Sequence, residues 1–231
     1  MSEIIHHHSQ IKVVSSFSDL IHTEFQGENN ALCWERNLQG DFGEIVSKLQ
    51  LSDNITEISS NDLMLLELSE DGKLARDIIL NDLQQLTDFG ASPALNLLKS
   101  YEKDTDFDCI STDVYSFHVD RSPIATDTYL CTYYGASSEI ISNSEAEQKI
   151  LIPEIREKLK ELHTNSGEDF ETFLTENFFD LHYQSKPDAQ PTVLGNGHLW
   201  RLAVDHPEQK VLPCIHRAPH ENNQLRLMLI C

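Results

Sequence analysis

The chain is short of basic residues, with 17 Lys and Arg against 38 Asp and Glu and a formal net charge of −21 at pH 7. That excess repels phosphate backbones and anionic headgroups, which argues against nucleic acid and membrane surfaces as partners. No CxxC pair occurs, and the five cysteines (Cys33, Cys109, Cys131, Cys214 and Cys231) are odd in number and scattered. This excludes a disulfide framework and predicts reduced, mostly buried thiols in a cytoplasmic protein. No apolar run approaches the length of a membrane span, and the first residues lack the basic and apolar regions of a signal peptide. His6–His8 form a short run to which no function is assigned. There is no internal repeat and no low-complexity segment.

What is present suits a globular enzyme. The 231 residues are 39% hydrophobic and include ten Phe, six Tyr and two Trp, enough for one large domain or two small ones with a substantial core. The acid is unevenly spread. Residues 135–180 carry eleven acids and four bases, whereas 197–231 carry three acids and four bases. The second segment therefore suits an anionic co-substrate better than the first.

Residues 1–30 are polar and weakly periodic, and Ala31–Trp34 reads as a short strand. Phe42, Ile45, Val46 and Leu49 then follow helical spacing. Lys73–Phe89 continues as helix, with Leu74, Ile78, Ile79, Leu83 and Leu86 inward and Gly90 as C-cap. Ser92-Pro93 predicts a helix start for Ala94–Tyr101, which makes the first hundred residues a mainly helical layer. Phe107–Asp120 and Thr128–Tyr134 read as strands. Acidic helices are expected near Pro153–His163 and Glu168–Tyr183, the second opened by a capping box of Ser166 and Asp169. A loop over 185–196 leads to three short strands at His198–Val204, Val211–His216 and Gln224–Ile230. The expected class is α+β. Its core would be a jelly-roll or cupin-like barrel over about 107–231, with a helical layer over about 41–101 and a helical insertion over about 145–183. Residues 31–231 form the one domain, preceded by the polar segment 1–30.

Four residues carry chemistry. In a strand, residues i and i+2 point to the same side, so Phe117-His118-Val119-Asp120 projects His118 and Asp120 together. His216 stands on another predicted strand, and Arg226 follows it by ten residues. Two imidazoles and one carboxylate on one face of an iron leave three positions open for oxygen chemistry. Arg226 alternates with Leu225, Leu227 and Leu229, and a bound carboxylate would explain an inward cation. Each residue has a plainer reading. Asp120 can simply orient His118, His216 can be a polar loop residue, and Arg226 can make a surface salt bridge. Their order and the His-to-Arg spacing set the group apart. Cys214 shares a face with His216 in a regular strand, with buried thiol as its default role. His163 and His182 fall on predicted helices as partners of nearby acids. Trp200 reads as core before substrate platform.

Phe117-His118-Val119-Asp120, Leu130-Cys131-Thr132-Tyr133-Tyr134-Gly135 and Ile215-His216-Arg217-Ala218-Pro219 together resemble an uncharacterised bacterial domain-of-unknown-function family. That family carries FHxD, CTYxG and HR-small-P blocks and a final Arg-bearing strand. Trp34-Glu35-Arg36 resembles its N-terminal Trp-x-Arg, so the likeness spans about 31–230. More distantly, the set of His118, Asp120, His216 and Arg226 resembles the Fe(II)- and 2-oxoglutarate-dependent dioxygenases, with their double-stranded β-helix fold. Ala136-Ser137-Ser138-Glu139 departs from the Gly- and Thr-rich turn expected after the CTYxG block.

The resemblance implies His118, Asp120 and His216 as iron ligands and Arg226 as partner of the distal carboxylate of 2-oxoglutarate. Tyr133 or Thr132 would add a hydrogen bond, one at most because they alternate in facing. Arg121 and Arg217, beside ligands, would bind an anionic substrate group or make salt bridges to nearby acids. The expected activity is hydroxylation of a small-molecule or amino-acid-like substrate by molecular oxygen, with succinate and carbon dioxide as co-products. The alternatives are a cupin-like metal protein, such as a zinc hydrolase, isomerase or binding module, and an acidic interaction domain in which the four residues never meet.

Overall fold

The computed structural model describes residues 9–164, 167–220 and 222–231, so His6–His8 and Ser166 lie outside the described residues. The chain opens with β1 (Ile11–Val14), α1 (Phe17–His22), β2 (Ala31–Trp34) and α2 (Phe42–Lys48). Then come β3 (Ile55–Glu57), α3 (Ser60–Met64), α4 (Glu70–Phe89) and β4 (Ala94–Leu98). After irregular chain follow β5 (Phe117–His118), β6 (Asp127–Tyr134), β7 (Glu139–Ile141) and β8 (Ala146–Gln148). The helices α5 (Pro153–His163) and α6 (Phe170–Glu176) precede β9 (His182–Ser185) and β10 (Thr192–Val193). Last come β11 (Leu199–Ala203), β12 (Ile215–Arg217) and β13 (Arg226–Ile230).

The fold is α+β, with two large sheets. The larger has the order β1-β2-β11-β6-β13-β4-β3 and the smaller β10-β7-β12-β5-β9-β8. Side-chain alternation gives each sheet two different faces. On the larger sheet Tyr129, Cys131, Tyr133, Leu227 and Leu229 join Ile45, Ala75, Ile79 and Leu86 of the helices in one core. From the opposite face Leu130, Trp200 and Leu202 pack against Ile140 of the smaller sheet. The two sheets thus meet through their inner faces, as in a β-sandwich. The smaller sheet covers its outer face with Phe117, Val119, Leu181 and Ile215. Helices α5 and α6 build a separate core with Ile110, Ile150 and Phe179. Among the described residues, no helix is long and apolar enough to cross a membrane.

Several local expectations hold. The predicted α2, α4 and α5 form, and Gly90 caps α4 in the left-handed region at φ 101°. Others are corrected. Ala94–Leu98 is strand and not helix, because Leu95 and Leu97 alternate into the helix-side core while the backbone pairs with β13 and β3. The first hundred residues are therefore not a purely helical layer. The polar N-terminal segment also contributes β1, which pairs in parallel with β2. Leu74 is exposed, and α4 buries the line Ala75, Ile79, Asp82 and Leu86. Strand structure in 107–120 shrinks to Phe117–His118. Asp104 and Asp113 accept backbone N–H bonds from Thr112, Tyr115 and Ser116, holding that stretch in turns that compete with a ladder. Asp169 itself caps α6, accepting from Glu171 and Thr172. That helix ends at Glu176 rather than reaching Tyr183, because Phe178 adopts φ 59° and His182–Ser185 joins the sheet.

Candidate metal centre

The inner face of the smaller sheet carries a row of imidazoles. His118 on β5 pairs directly with His216 on β12 and, on its other side, with His182 on β9. Asp120 follows β5 by two residues and returns to the same side. His118, Asp120 and His216 each offer a ligand atom within 4.8 Å of the other two, so the group could hold a metal ion. The nearest His216 nitrogen, Nε2, stands 3.7 Å from Asp120 Oδ2, and the His118 and His216 rings are 4.5 Å apart. The three predicted ligands do come together.

The tautomers are fixed by the backbone. His118 Nδ1 lies 2.8 Å from the Ser116 carbonyl, and His216 Nδ1 lies 3.2 Å from that of Cys214. A carbonyl can only accept, so both Nδ1 atoms carry the proton and both Nε2 atoms keep a lone pair for a metal. Thr128 on β6 donates its hydroxyl to Asp120 Oδ2, holding the carboxylate from the opposite sheet. Burial and the neighbouring His216 push His118 down to about 4. Partial burial works to raise the Asp120 pKa, but His216 and the Thr128 hydroxyl outweigh it and hold the carboxyl below its usual range. His118 and Asp120 are therefore in their ligating forms at neutral pH. Two imidazole nitrogens and one carboxylate oxygen suit iron and also zinc, cobalt or nickel.

Arg226 is buried on the facing sheet. Its Nε donates to the Ala136 carbonyl at 2.6 Å, and Nη2 reaches Ser138 Oγ at 3.5 Å and Met228 Sδ at 3.4 Å. Among the described residues it has no carboxylate partner. Burial lowers its pKa, opposed by the nearby Tyr101 side chain, which is within hydrogen-bonding reach. Gly135 makes the approach possible: at φ +88° it lies against the Leu225 carbonyl, and a Cβ there would sit 2.9 Å from Arg226 Cγ. The glycine of the CTYYG block thus admits the arginine stem.

The neighbours divide sharply. Thr132 stands opposite Met228, on the face of Arg226, and among the described residues its buried hydroxyl has no hydrogen-bond partner. Tyr133 points the other way and donates to Asp82 Oδ2 at 2.7 Å, so it cannot reach a ligand at Arg226. Asp82 also holds Arg36 at 2.7 Å, and Arg36 in turn bonds the Gly197 carbonyl and lies 4.6 Å over Trp34. The Trp-x-Arg block is therefore a strut. Arg121 is committed to Asp180 and Asp205, and Arg217 to Glu139 while stacking 4.3 Å over Phe117, which removes both as anion receptors. Trp200 is fully buried between the sheets with Nε1 bonded to the Leu194 carbonyl, so it is core and no substrate platform. Cys214 is buried in the same core and is not among the grouped ligands.

His182 was expected on a helix and is instead a strand residue 5.7 Å from His118, fully within the site's wall. Burial, then His118 and Lys149, push it down to about 3, and its Nδ1 is buried without a partner. Thr128 gave no sequence signal beyond lying on the inward face of a predicted strand. A cleft of about 310 Å³ opens beside the centre along Ser111, Asp113, Ser116 and Lys149. A larger cleft, about 750 Å³, lies across the outer face of the larger sheet at Tyr129 and Arg201, away from the imidazoles. No protein-family model, no curated protein and no solved structure matches this chain.

Proposed function

We propose that the chain is an Fe(II)- and 2-oxoglutarate-dependent oxygenase that hydroxylates a small-molecule or amino-acid-like substrate. One juxtaposition carries the reading. A two-His, one-carboxylate group on one sheet faces a sheet bearing, among the described residues, a buried cation without a carboxylate and a buried hydroxyl without a partner. Buried polar groups without partners are costly, and a carboxylate at Arg226 and Thr132 would satisfy both.

Strand order supports the same superfamily. β4, β13, β6 and β11 lie side by side in the larger sheet, and β5, β12, β7 and β10 in the smaller. With β8 and β9 set aside as edge additions, the chain changes sheet at every step but β7 to β10, a course compatible with a jelly roll. The five unpaired cysteines agree with a cytoplasmic setting.

His118, Asp120 and His216 would hold the metal. When bound, Fe(II) with 2-oxoglutarate and dioxygen supplies oxidising chemistry that yields succinate, carbon dioxide and a hydroxylated C–H carbon. The chain's own part is positional. The Ser116 and Cys214 carbonyls keep both Nε2 atoms bare, Thr128 fixes Asp120, and Arg226 with Thr132 would anchor the co-substrate.

The test is succinate formation from 2-oxoglutarate with added Fe(II), beside thermal stabilisation by N-oxalylglycine. Both are expected in the wild type, and both should fall at least tenfold in Arg226→Met. Metal uptake without either response would overturn the oxygenase reading in favour of a zinc or binding module. That second reading has one observation behind it: Tyr101 lines the narrow space beside Arg226, which is only about 10 Å³.

A further inference from the structure

Lys149 follows β8 directly, one position beyond the Gln148–Tyr183 pair, and so stands beside His182. The inner row therefore runs Lys149, His182, His118, His216. Lys149 is half-buried, and its Nζ meets only neutral oxygens: Ser116 Oγ at 2.7 Å and the Ser111 carbonyl at 3.4 Å. Among the described residues it makes no ion pair, in a chain with 38 acids. Asp113 is the nearby carboxylate, and it is engaged by the backbone N–H groups of Asp104, Tyr115 and Ser116. The cleft of about 310 Å³ opens over this lysine, and Lys103, Tyr115 and His220 also line it. Its wall at Ser116 is the same backbone whose carbonyl receives His118 Nδ1. Between lysine and ligand lies His182, 4% exposed, with Nδ1 lacking a partner.

We propose that this cleft is a substrate subsite, in which Lys149 receives the carboxylate of a small organic acid whose far end extends along His182 toward the metal centre. This rests on the functional reading above for its link to catalysis, but not for the binding itself. Two observations favour a carboxylate over a phosphate. The wall carries the Asp113 charge, and the arginines beside the metal ligands are paired. Adjacent strands lie about 4.8 Å apart, so Lys149 and His118 are separated by about 10 Å across two spacings. That span fits an acid of amino-acid size and excludes a long chain.

The experiment uses metal-free full-length protein carrying [ε-¹³C]lysine, titrated with butyrate, inorganic phosphate or chloride at constant ionic strength. Lys149→Arg identifies the Lys149 resonance by its loss. Butyrate is expected to move that resonance saturably, at least fivefold further than any lysine outside the cleft and further than phosphate does. The same response is expected in Arg226→Met. No saturable response would overturn the proposal, as would a response lost in Arg226→Met, since the probe would then be read from the other sheet. A larger response to phosphate would overturn the carboxylate assignment. Failure of the oxygenase reading alone would leave the titration intact while succinate formation is absent.

Discussion

Thr132 and Tyr133 are neighbours on β6 and face opposite ways into two very different polar environments. Under the helices, Tyr133, Asp82 and Arg36 form a network in which the carboxylate accepts from both partners. On the site's side, among the described residues, Thr132 Oγ1 and His182 Nδ1 have no partner, and Arg226 and Lys149 hold only neutral acceptors. Burial alone does not separate structure from function in this protein. On β6 pairing does: the fully paired Tyr133 ties elements together, while the unpaired Thr132 lies where a ligand would fit.

The difference can be broken from either side. The largest effect is expected at the metal centre, where His118→Ala or Asp120→Ala should take bound metal from near one equivalent to near zero, measured by elemental analysis after Fe(II) or Co(II) loading. The same variants should leave the far-ultraviolet circular dichroism unchanged. On the helix side Asp82→Ala strands the buried Arg36 and should cost about 3–5 kcal/mol in urea unfolding. A loss under 1 kcal/mol would show that this network is not the strut described.

Acid should act on the inner face. His118 and His182 titrate near 4 and 3 in the folded chain, against 6.5 ordinarily. The unfolded chain therefore binds more protons between those values and pH 6.5. Metal-free stability should be flat above about pH 6.5 and fall as pH drops toward 4, by up to about 1.4 kcal/mol per pH unit for each proton taken up. His182→Asn should reduce that slope, and an unchanged slope would remove His182 from the explanation. Smaller effects should fall on β6 itself. Tyr133→Phe is expected to cost about 1 kcal/mol through its lost bond to Asp82. Thr132→Val should be neutral or slightly stabilising, because its hydroxyl has nothing to lose. A cost for Thr132→Val as large as that of Tyr133→Phe would erase the contrast between the two faces.

Much of the site was legible from local pattern. His118 and Asp120 were paired by strand alternation, and Arg226 was set against Leu227 and Leu229 by the same rule. His182 was missed because the apolar spacing of Phe170, Phe173 and Leu174 carries a helical reading forward past the break at Phe178. Asp82 was missed because one acid on an amphipathic helix reads as solvated face, and nothing local says that Arg36 and Tyr133 converge on it. Ala94–Leu98 misled because a short apolar run after Ser-Pro fits a helix start as well as a strand that pairs on both sides.

The sequence by itself determined which side chains share a face over a few residues, since that follows from the geometry of one extended or helical segment. It thereby fixed the His118–Asp120 pair, the inward Arg226 and the Gly90 cap. Only the tertiary structure decided that His216, 98 residues after His118, is its direct cross-strand partner. It also decided that Tyr133 belongs to the helices and Thr132 to the site. Register between distant strands depends on contacts summed over both sheets, and whether a buried polar atom finds a partner depends on what that register brings opposite it.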